Sequence, residues 1–367
     1  MTKLHQINQL GQSIWYDNIQ RALLDSGKMG ALIETGVSGV TSNPTIFDRA
    51  IRGSTDYDAD LRRLVQAGHS PEEIFEALAL QDIQRAADLL RPIYDRTAGV
   101  DGYVSLEVSP TLAYDTENTI AAARRLFAVL NRPNVLIKVP ATAEGFPAIE
   151  TLIGEGINVN VTLMFSLAQY DAVAYAYLAG LEQLADAGGD LSKVASVASF
   201  FVSRVDTAVD RALEAHPQAA ALRGKIAIAN AKMAYARFKE IFKGERWERL
   251  QAQGARVQRP LWASTSTKNP DYPDTMYVDH LIGPHTVNTM PPKTLEAVLD
   301  HGAVALTLEK DVEEASAQVA RLFEVGVDLG AITKQLLADG VDAFAKSFKD
   351  LLEGIAAKQE QLLVKEE

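Results

Sequence analysis

A closed (β/α)8 barrel of the TIM type is the fold class this sequence predicts, and three observations carry it. Short β-favouring runs recur eight times along the 367 residues, helical segments separate them, and no Gly/Ser-rich linker or low-complexity tract divides the chain. Strands that alternate with helices form a parallel sheet, and eight of them close into a barrel. Such a barrel needs roughly 250 residues. The remainder is assigned to extra helices, long loops and a C-terminal helical extension over about 310–367, all within one domain spanning 1–367.

The runs follow in order. Gly11 to Asn18 reads as the first strand, with Ser13, Trp15 and Asp17 on one face by the two-residue period. A polar helical segment leads to the second, Gly36 to Asn43, which Pro44 ends. Residues 45–68 are charged and read as irregular. Ser70-Pro71-Glu72-Glu73 then supplies an N-cap, a first-turn proline and an acid at the third helical position, so a long helix begins there. The third run, Tyr103 to Ser109, alternates Tyr103, Ser105, Glu107 and Ser109 against Val104, Leu106 and Val108. Asp115 precedes an amphipathic helix over Asn118 to Leu130, and Val135 to Thr142 is the fourth strand. In the fifth, Ile157 to Phe165, Asn158, Asn160 and Thr162 share a face. Ser166 with Gln169 is a second capping box, opening a helix to about Ala187. The sixth, Val194 to Val202, sets Val197, Ser199 and Phe201 together ahead of long helical sequence over 204–250. The seventh, Arg259 to Ser266, aligns Trp262, Ser264 and Ser266, and the eighth is placed at Tyr277 to Ile282, followed by a PHTVNTMPP connection.

Composition narrows the function. Acidic residues outnumber basic ones by 48 to 36, and the net charge of −12 opposes broad attraction to nucleic acid or an anionic membrane. Any phosphate then needs a local cationic pocket. The absence of cysteine removes disulfides, thiolate nucleophiles and sulfur metal sites, leaving six histidines as metal candidates. His280 and His285 flank a Gly-Pro break without a matched acid pair, so a structural or rim role is expected and no metal site. The opening MTKLHQINQL lacks a secretory apolar stretch and no run approaches membrane-spanning length, so a soluble cytoplasmic protein is expected.

Lys138 is the residue to explain, because it shares a strand face with Leu136 inside an apolar run. Burying an ammonium without a partner is costly, and the escape is loss of the proton, which leaves a nucleophile toward ketones. A lone lysine at a strand end also snorkels to water or meets a carboxylate. The other runs decide between these readings. Asp17, Asn43, Glu107, Asn160, Thr162 and Ser199 all fall late in their strands, where a barrel builds its active site. Singly, Asn43 is a turn residue before proline, Thr162 a strand former, Ser199 a small filler, and either acid a lysine partner. Jointly, two acids, two amides and an amine buried for structure alone would be expensive.

The ordered motifs Thr41-Ser42-Asn43-Pro44, Ser105-Leu106-Glu107-Val108, Leu136-Ile137-Lys138, Asn160-Val161-Thr162, and Ser199 followed five residues later by Arg204 resemble those of the transaldolases. The likeness runs from Asp17 to Ser266. The wording LEVSP and ASTSTKNP looks most like the longer bacterial branch, which sometimes occurs fused to glucose-6-phosphate isomerase. The resemblance implies transfer of a dihydroxyacetone unit from sedoheptulose 7-phosphate or fructose 6-phosphate to an aldose phosphate, in the pentose phosphate pathway, without metal or organic cofactor. It implies Lys138 as the Schiff-base lysine, Asp17 as the base at the C4 hydroxyl, and Glu107 with a water held by Thr162 as the proton shuttle. Asn43 and Asn160 would hold the dihydroxyacetone hydroxyls and Ser199 would line the chamber. Arg204, Ser264 and Ser266 would bind phosphate. Many relatives carry a second arginine where this chain has Ser266, with Lys268 two residues on; either Lys268 replaces that charge or the pocket is less cationic. Phe201 either denies water a place beside the enamine or fills the barrel. The rivals are a lysine-dependent aldolase that releases free dihydroxyacetone and a barrel that only binds sugar phosphates. Small sugar phosphates are the expected partners, with no nucleic acid and no membrane, and a homo-oligomer is left open.

Overall fold

The computed structural model describes residues 1–364. Eight parallel strands close on themselves in chain order: β1 (Gln12–Tyr16), β2 (Val37–Thr41), β3 (Val104–Glu107), β4 (Val135–Pro140), β5 (Val159–Met164), β6 (Ser196–Phe201), β7 (Arg259–Ala263) and β8 (Thr286–Met290). The predicted barrel is present, and its first seven strands lie within the runs read from sequence. Among the described residues no helix is long and apolar enough to cross a membrane.

Helix starts follow local chemistry. Ser70 Oγ accepts from the Glu73 amide while Glu73 Oε2 accepts from the Ser70 amide, opening Pro71–Arg96. Ser166 and Gln169 make the same reciprocal pair ahead of Leu167–Asp186. Asp115 caps Thr116–Leu130, which ends at left-handed Asn131.

Three readings need correction. Residues 45–68 are not irregular: they form the helices Pro44–Gly53 and Asp58–Gln66. Asn43 is the N-cap of the first, Oδ1 accepting from the Ile46 amide at 3.0 Å, and Phe47, Ala50 and Ile51 are its buried face. The eighth strand is not Tyr277 to Ile282. That stretch holds the short helix Met276–Asp279, and its buried Tyr277, Val278, Leu281 and Ile282 recur at helical rather than alternating spacing. β8 lies in the connection after it, where polar side chains are buried because the barrel satisfies them: Gln12 Nε2 donates to Thr286 Oγ1 at 2.9 Å and Thr265 Oγ1 to Asn288 Oδ1 at 3.0 Å. Finally, Trp262 does not share a face with the site. Registers of Ser199 with Leu261 and Phe200 with Trp262 put Leu261 inward and Trp262 outward, edge-on to Phe200 at 6.3 Å. Ser264 reaches the cleft because the chain turns through a left-handed residue there, φ 55°, just past the strand.

The barrel floor is plugged by Trp15, whose Nε1 donates to Asp101 Oδ1 at 2.8 Å, and by Arg259, which donates to Ser13 Oγ at 2.6 Å. Gly39 on β2 makes room for the indole: a Cβ there would lie 2.5 Å from Trp15 Nε1. At the opposite end, the helix Leu329–Val364 packs along Pro44–Gly53. Lys358 Nζ ties it down, donating to the carbonyls of Ile51 (2.7 Å) and Ser54 (3.0 Å). The C-terminal extension is therefore helical and covers part of the barrel mouth; 365–367 lie outside the described residues.

Candidate active site

Three side chains from adjacent strands stand in one row, since Glu107 is in register with Lys138 and Lys138 with Asn160. Lys138 is 6% exposed. Its Nζ donates to the Ser42 carbonyl at 3.1 Å and lies 3.5 Å from Glu107 Oε2 and 6.0 Å from the centre of the Phe344 ring. The amine is thus buried with a carboxylate beside it, not alone. The Glu107 contact is an ion pair without hydrogen-bond geometry, so Oε2 keeps its capacity to bond a water or a substrate hydroxyl. Burial pushes the Glu107 carboxyl above the usual carboxylate range; Lys138 opposes this and the Asp17 charge adds to it.

Asp17 follows β1 directly and is fixed by its amide, which donates to the Met290 carbonyl at 2.8 Å. Its Oδ1 accepts from Thr41 Oγ1 at 2.7 Å, and Thr41 pairs with Thr289 Oγ1 at 2.6 Å. Burial raises the Asp17 carboxyl too, offset by the Thr41 hydrogen bond and by the charges of Lys138 and Lys268. Asp17 and Lys138 line a common cleft with Asn43, Thr162, Ser199 and Phe201. Among the described residues Thr162 Oγ1 is buried with no protein partner, beside left-handed Leu163 (φ 57°), where the β5–β6 register slips. Such a hydroxyl is a berth for water.

Arg204, Ser264, Ser266 and Lys268 line the same cleft. Arg204 opens the helix Ser203–Ala212, lies 5.4 Å over the Phe201 ring, and has no carboxylate partner among the described residues. Burial pulls its pKa down. Lys268, on the loop after β7, donates to Ser266 Oγ at 2.7 Å. Burial and the neighbouring Arg204 lower its pKa while Asp17 raises it.

Two residues picked from sequence sit apart from the cleft wall. Asn160 is fully buried beneath it, donating to Ser105 Oγ at 2.9 Å and accepting from Ser199 Oγ at 2.7 Å. Glu107 borders a neighbouring, mainly apolar recess lined by Phe47, Phe75 and Phe348, and reaches the cleft through Lys138. Sequence reading quoted Thr41 in a motif without giving it a role, and it missed Thr289, Phe344 and Arg49, of which Thr289 was hidden by the misplaced eighth strand. Phe344 and Arg49 line the cleft from helices. Nothing local in the sequence distinguishes either from other helical residues. Among the described residues no group of three or more His, Asp or Glu could hold a metal ion.

Residues 14–355 match the family described as Transaldolase/Fructose-6-phosphate aldolase. A transaldolase of Thermobifida fusca is 52% identical over 357 residues, covering 96% of this chain and 97% of its own. One of Thiobacillus denitrificans is 52% identical over 349 residues (94% and 97%), and one of Trichodesmium erythraeum 45% over 372 (98% of each). Matches of that length and identity, across all eight strands, mean that this chain belongs to the transaldolase/fructose-6-phosphate aldolase family.

Proposed function

We propose that this chain is a transaldolase, moving a dihydroxyacetone unit between ketose and aldose phosphates through a Schiff base on Lys138, in the cytoplasm. The observation that carries the reading is one buried amine with a carboxylate 3.5 Å away on the neighbouring strand and a second carboxylate on the wall of the same cleft. Glu107 takes a proton from the Lys138 ammonium, and the freed amine attacks the C2 carbonyl of the donor. Glu107 returns that proton to the carbonyl oxygen, takes a second from the nitrogen and delivers it to the carbinolamine hydroxyl, which leaves as water and leaves a protonated imine; a water on Thr162 bridges the gap. The protonated imine draws in the C3–C4 electron pair as Asp17 removes the C4 hydroxyl proton, so an aldose phosphate departs and an enamine remains. The acceptor aldehyde is attacked by the enamine carbon, Asp17 returns its proton to the new hydroxyl, and water hydrolyses the imine. Arg204 and Lys268 take the phosphate at the far side of the cleft. Asn43 holds the dihydroxyacetone hydroxyls. Asn160 holds them through Ser199, which it fixes by hydrogen bond.

Borohydride reduction in the presence of fructose 6-phosphate, followed by mapping of the modified peptide, tests the assignment. Wild type is expected to be trapped at Lys138, and Lys138→Ala to lose both trapping and turnover; a trapped product on any other lysine would overturn it. The family's name spans an aldolase as well, which differs only in whether water or an aldehyde meets the enamine. Dihydroxyacetone released per acceptor converted separates the two, and a ratio near zero is expected.

A further inference from the structure

The loop between β7 and the helix Met276–Asp279 carries Lys268, and its middle is held in an unusual way. Its start is fixed to the barrel, since Ser264 pairs with Ser203 (Oγ to Oγ, 2.9 Å) and Thr265 donates to Asn288. Its end is fixed by Tyr277, whose hydroxyl donates to buried Asp206 Oδ2 at 2.9 Å. Between them, the side-chain bond of Lys268 is local, to Ser266, and Asp271 bonds only within the loop, to Asn269. The Asp274–His301 contact is solvent-exposed on both sides, and such pairs are worth little. Thr275 Oγ1 bonds only to Asp279 in the helix that follows, at 2.7 Å. Among the described residues, the side-chain bond that ties the loop's middle to another element is that of Tyr272, whose hydroxyl donates to Asp210 Oδ2 at 2.6 Å. Burial and the Asp210 charge both push that phenol upward, so it stays a donor.

The site of this bond is built. Asp210 Oδ1 accepts from the Gly224 amide at 3.0 Å, so both carboxylate oxygens are used. Gly224 is left-handed (φ +70°), and a Cβ there would lie 2.7 Å from Tyr272 Cζ. Only glycine lets the ring lie across it. Asp210 stands near the end of the helix Ser203–Ala212 that Arg204 begins, six residues or about 9 Å along one rigid rod.

We propose that the Tyr272–Asp210 hydrogen bond is a strap that docks the Lys268 loop onto the Arg204 helix, making Tyr272 and Asp210 positioning residues for phosphate recognition. The inference rests on Arg204 and Lys268 being the phosphate ligands. With the strap closed, both cations share one frame before substrate arrives. With it open, the loop samples other positions and the ligand must select the competent one, which weakens apparent affinity by the competent fraction. The imine chemistry at Lys138 is untouched.

The experiment compares Tyr272→Phe, Lys268→Ala and the double variant, each assayed with fructose 6-phosphate and with unphosphorylated fructose, the latter read by borohydride trapping. Tyr272→Phe keeps the ring over Gly224. It is expected to raise KM for fructose 6-phosphate on the order of tenfold, if the loop is competent about one time in ten. Its kcat should change by less than about twofold, and trapping with fructose should not change. In the Lys268→Ala background the same substitution should add nothing. Equal effects on both substrates, or a further KM increase in that background, would overturn the strap while leaving the phosphate ligands in place. If Lys268→Ala itself leaves the preference for the phosphorylated sugar intact, the phosphate reading fails and the strap fails with it. Should Tyr272→Phe not fold, Asp210→Ala removes the acceptor of the strap and is held to the same outcomes.

Discussion

Two carboxylates share the site with one amine, and their surroundings differ. Asp17 is hydrogen-bonded by Thr41, while among the described residues Glu107 Oε2 has the 3.5 Å contact to Lys138 and no hydrogen bond. Asp17→Asn should therefore separate the steps: reductive trapping with fructose 6-phosphate persists because Lys138 and Glu107 remain, while kcat for transfer falls by about 10² to 10⁴. Loss of trapping together with turnover would assign Asp17 to imine formation instead. Since burial raises the Asp17 carboxyl and the base must be ionised to act, kcat/KM is expected to fall with decreasing pH above the ordinary carboxylate range. Phe201 presents its ring to the cleft between Phe165, 5.2 Å away, and Arg204. Phe201→Tyr adds a hydroxyl that can hold a water beside the enamine. The ratio of free dihydroxyacetone to transferred product should rise while trapping at Lys138 continues; an unchanged ratio would leave Phe201 as packing.

Strands place these residues, so faults in strand packing should register as stability rather than chemistry. Gly39→Ala forces a methyl into the Trp15 indole that plugs the barrel floor. A cost of about 1–3 kcal/mol is expected, seen as a lowered urea midpoint with kcat little changed. Legibility in the sequence followed the same division. Where strand faces alternated cleanly, as in β3 to β6, Glu107, Lys138, Asn160, Thr162 and Ser199 fell on the inward face as read. β8 was missed because its Thr286 and Asn288 are buried polar groups, and the partners that Gln12 and Thr265 provide for them come from distant segments. The face of β7 was inverted because the left-handed turn at Ser264 resets the two-residue period. Asn43 was read as a strand-ending turn residue and is also a helix cap, a role visible only once Ile46 is seen to be helical.

Across the whole molecule, Asp206 is a pH liability. Burial pushes its carboxyl to about 7, against hydrogen bonds from the Ala227 amide and Tyr277 that favour the ionised form. Its folded pKa exceeds the unfolded value, so the folded state binds the proton more tightly. The stabilising contribution is full below the unfolded pKa of 3.8 and is lost as pH rises through about 7. Asp206→Asn can accept from Ala227 and donate to Tyr277. Its melting temperature should vary less than that of wild type between roughly pH 5 and pH 8; identical slopes would remove Asp206 as the cause. A different consequence follows from Phe344, which faces Lys138 from a helix that lies beyond every strand in the chain. During synthesis the amine and both acids are made long before the wall that shelters them. A chain nicked at exposed Ala305 or Leu306, between the barrel and this wall, keeps Asp17, Glu107 and Lys138 on one fragment. If the severed helix leaves the mouth, imine trapping is expected to persist while the enamine meets solvent, so the ratio of free dihydroxyacetone to transferred product should rise before turnover is lost.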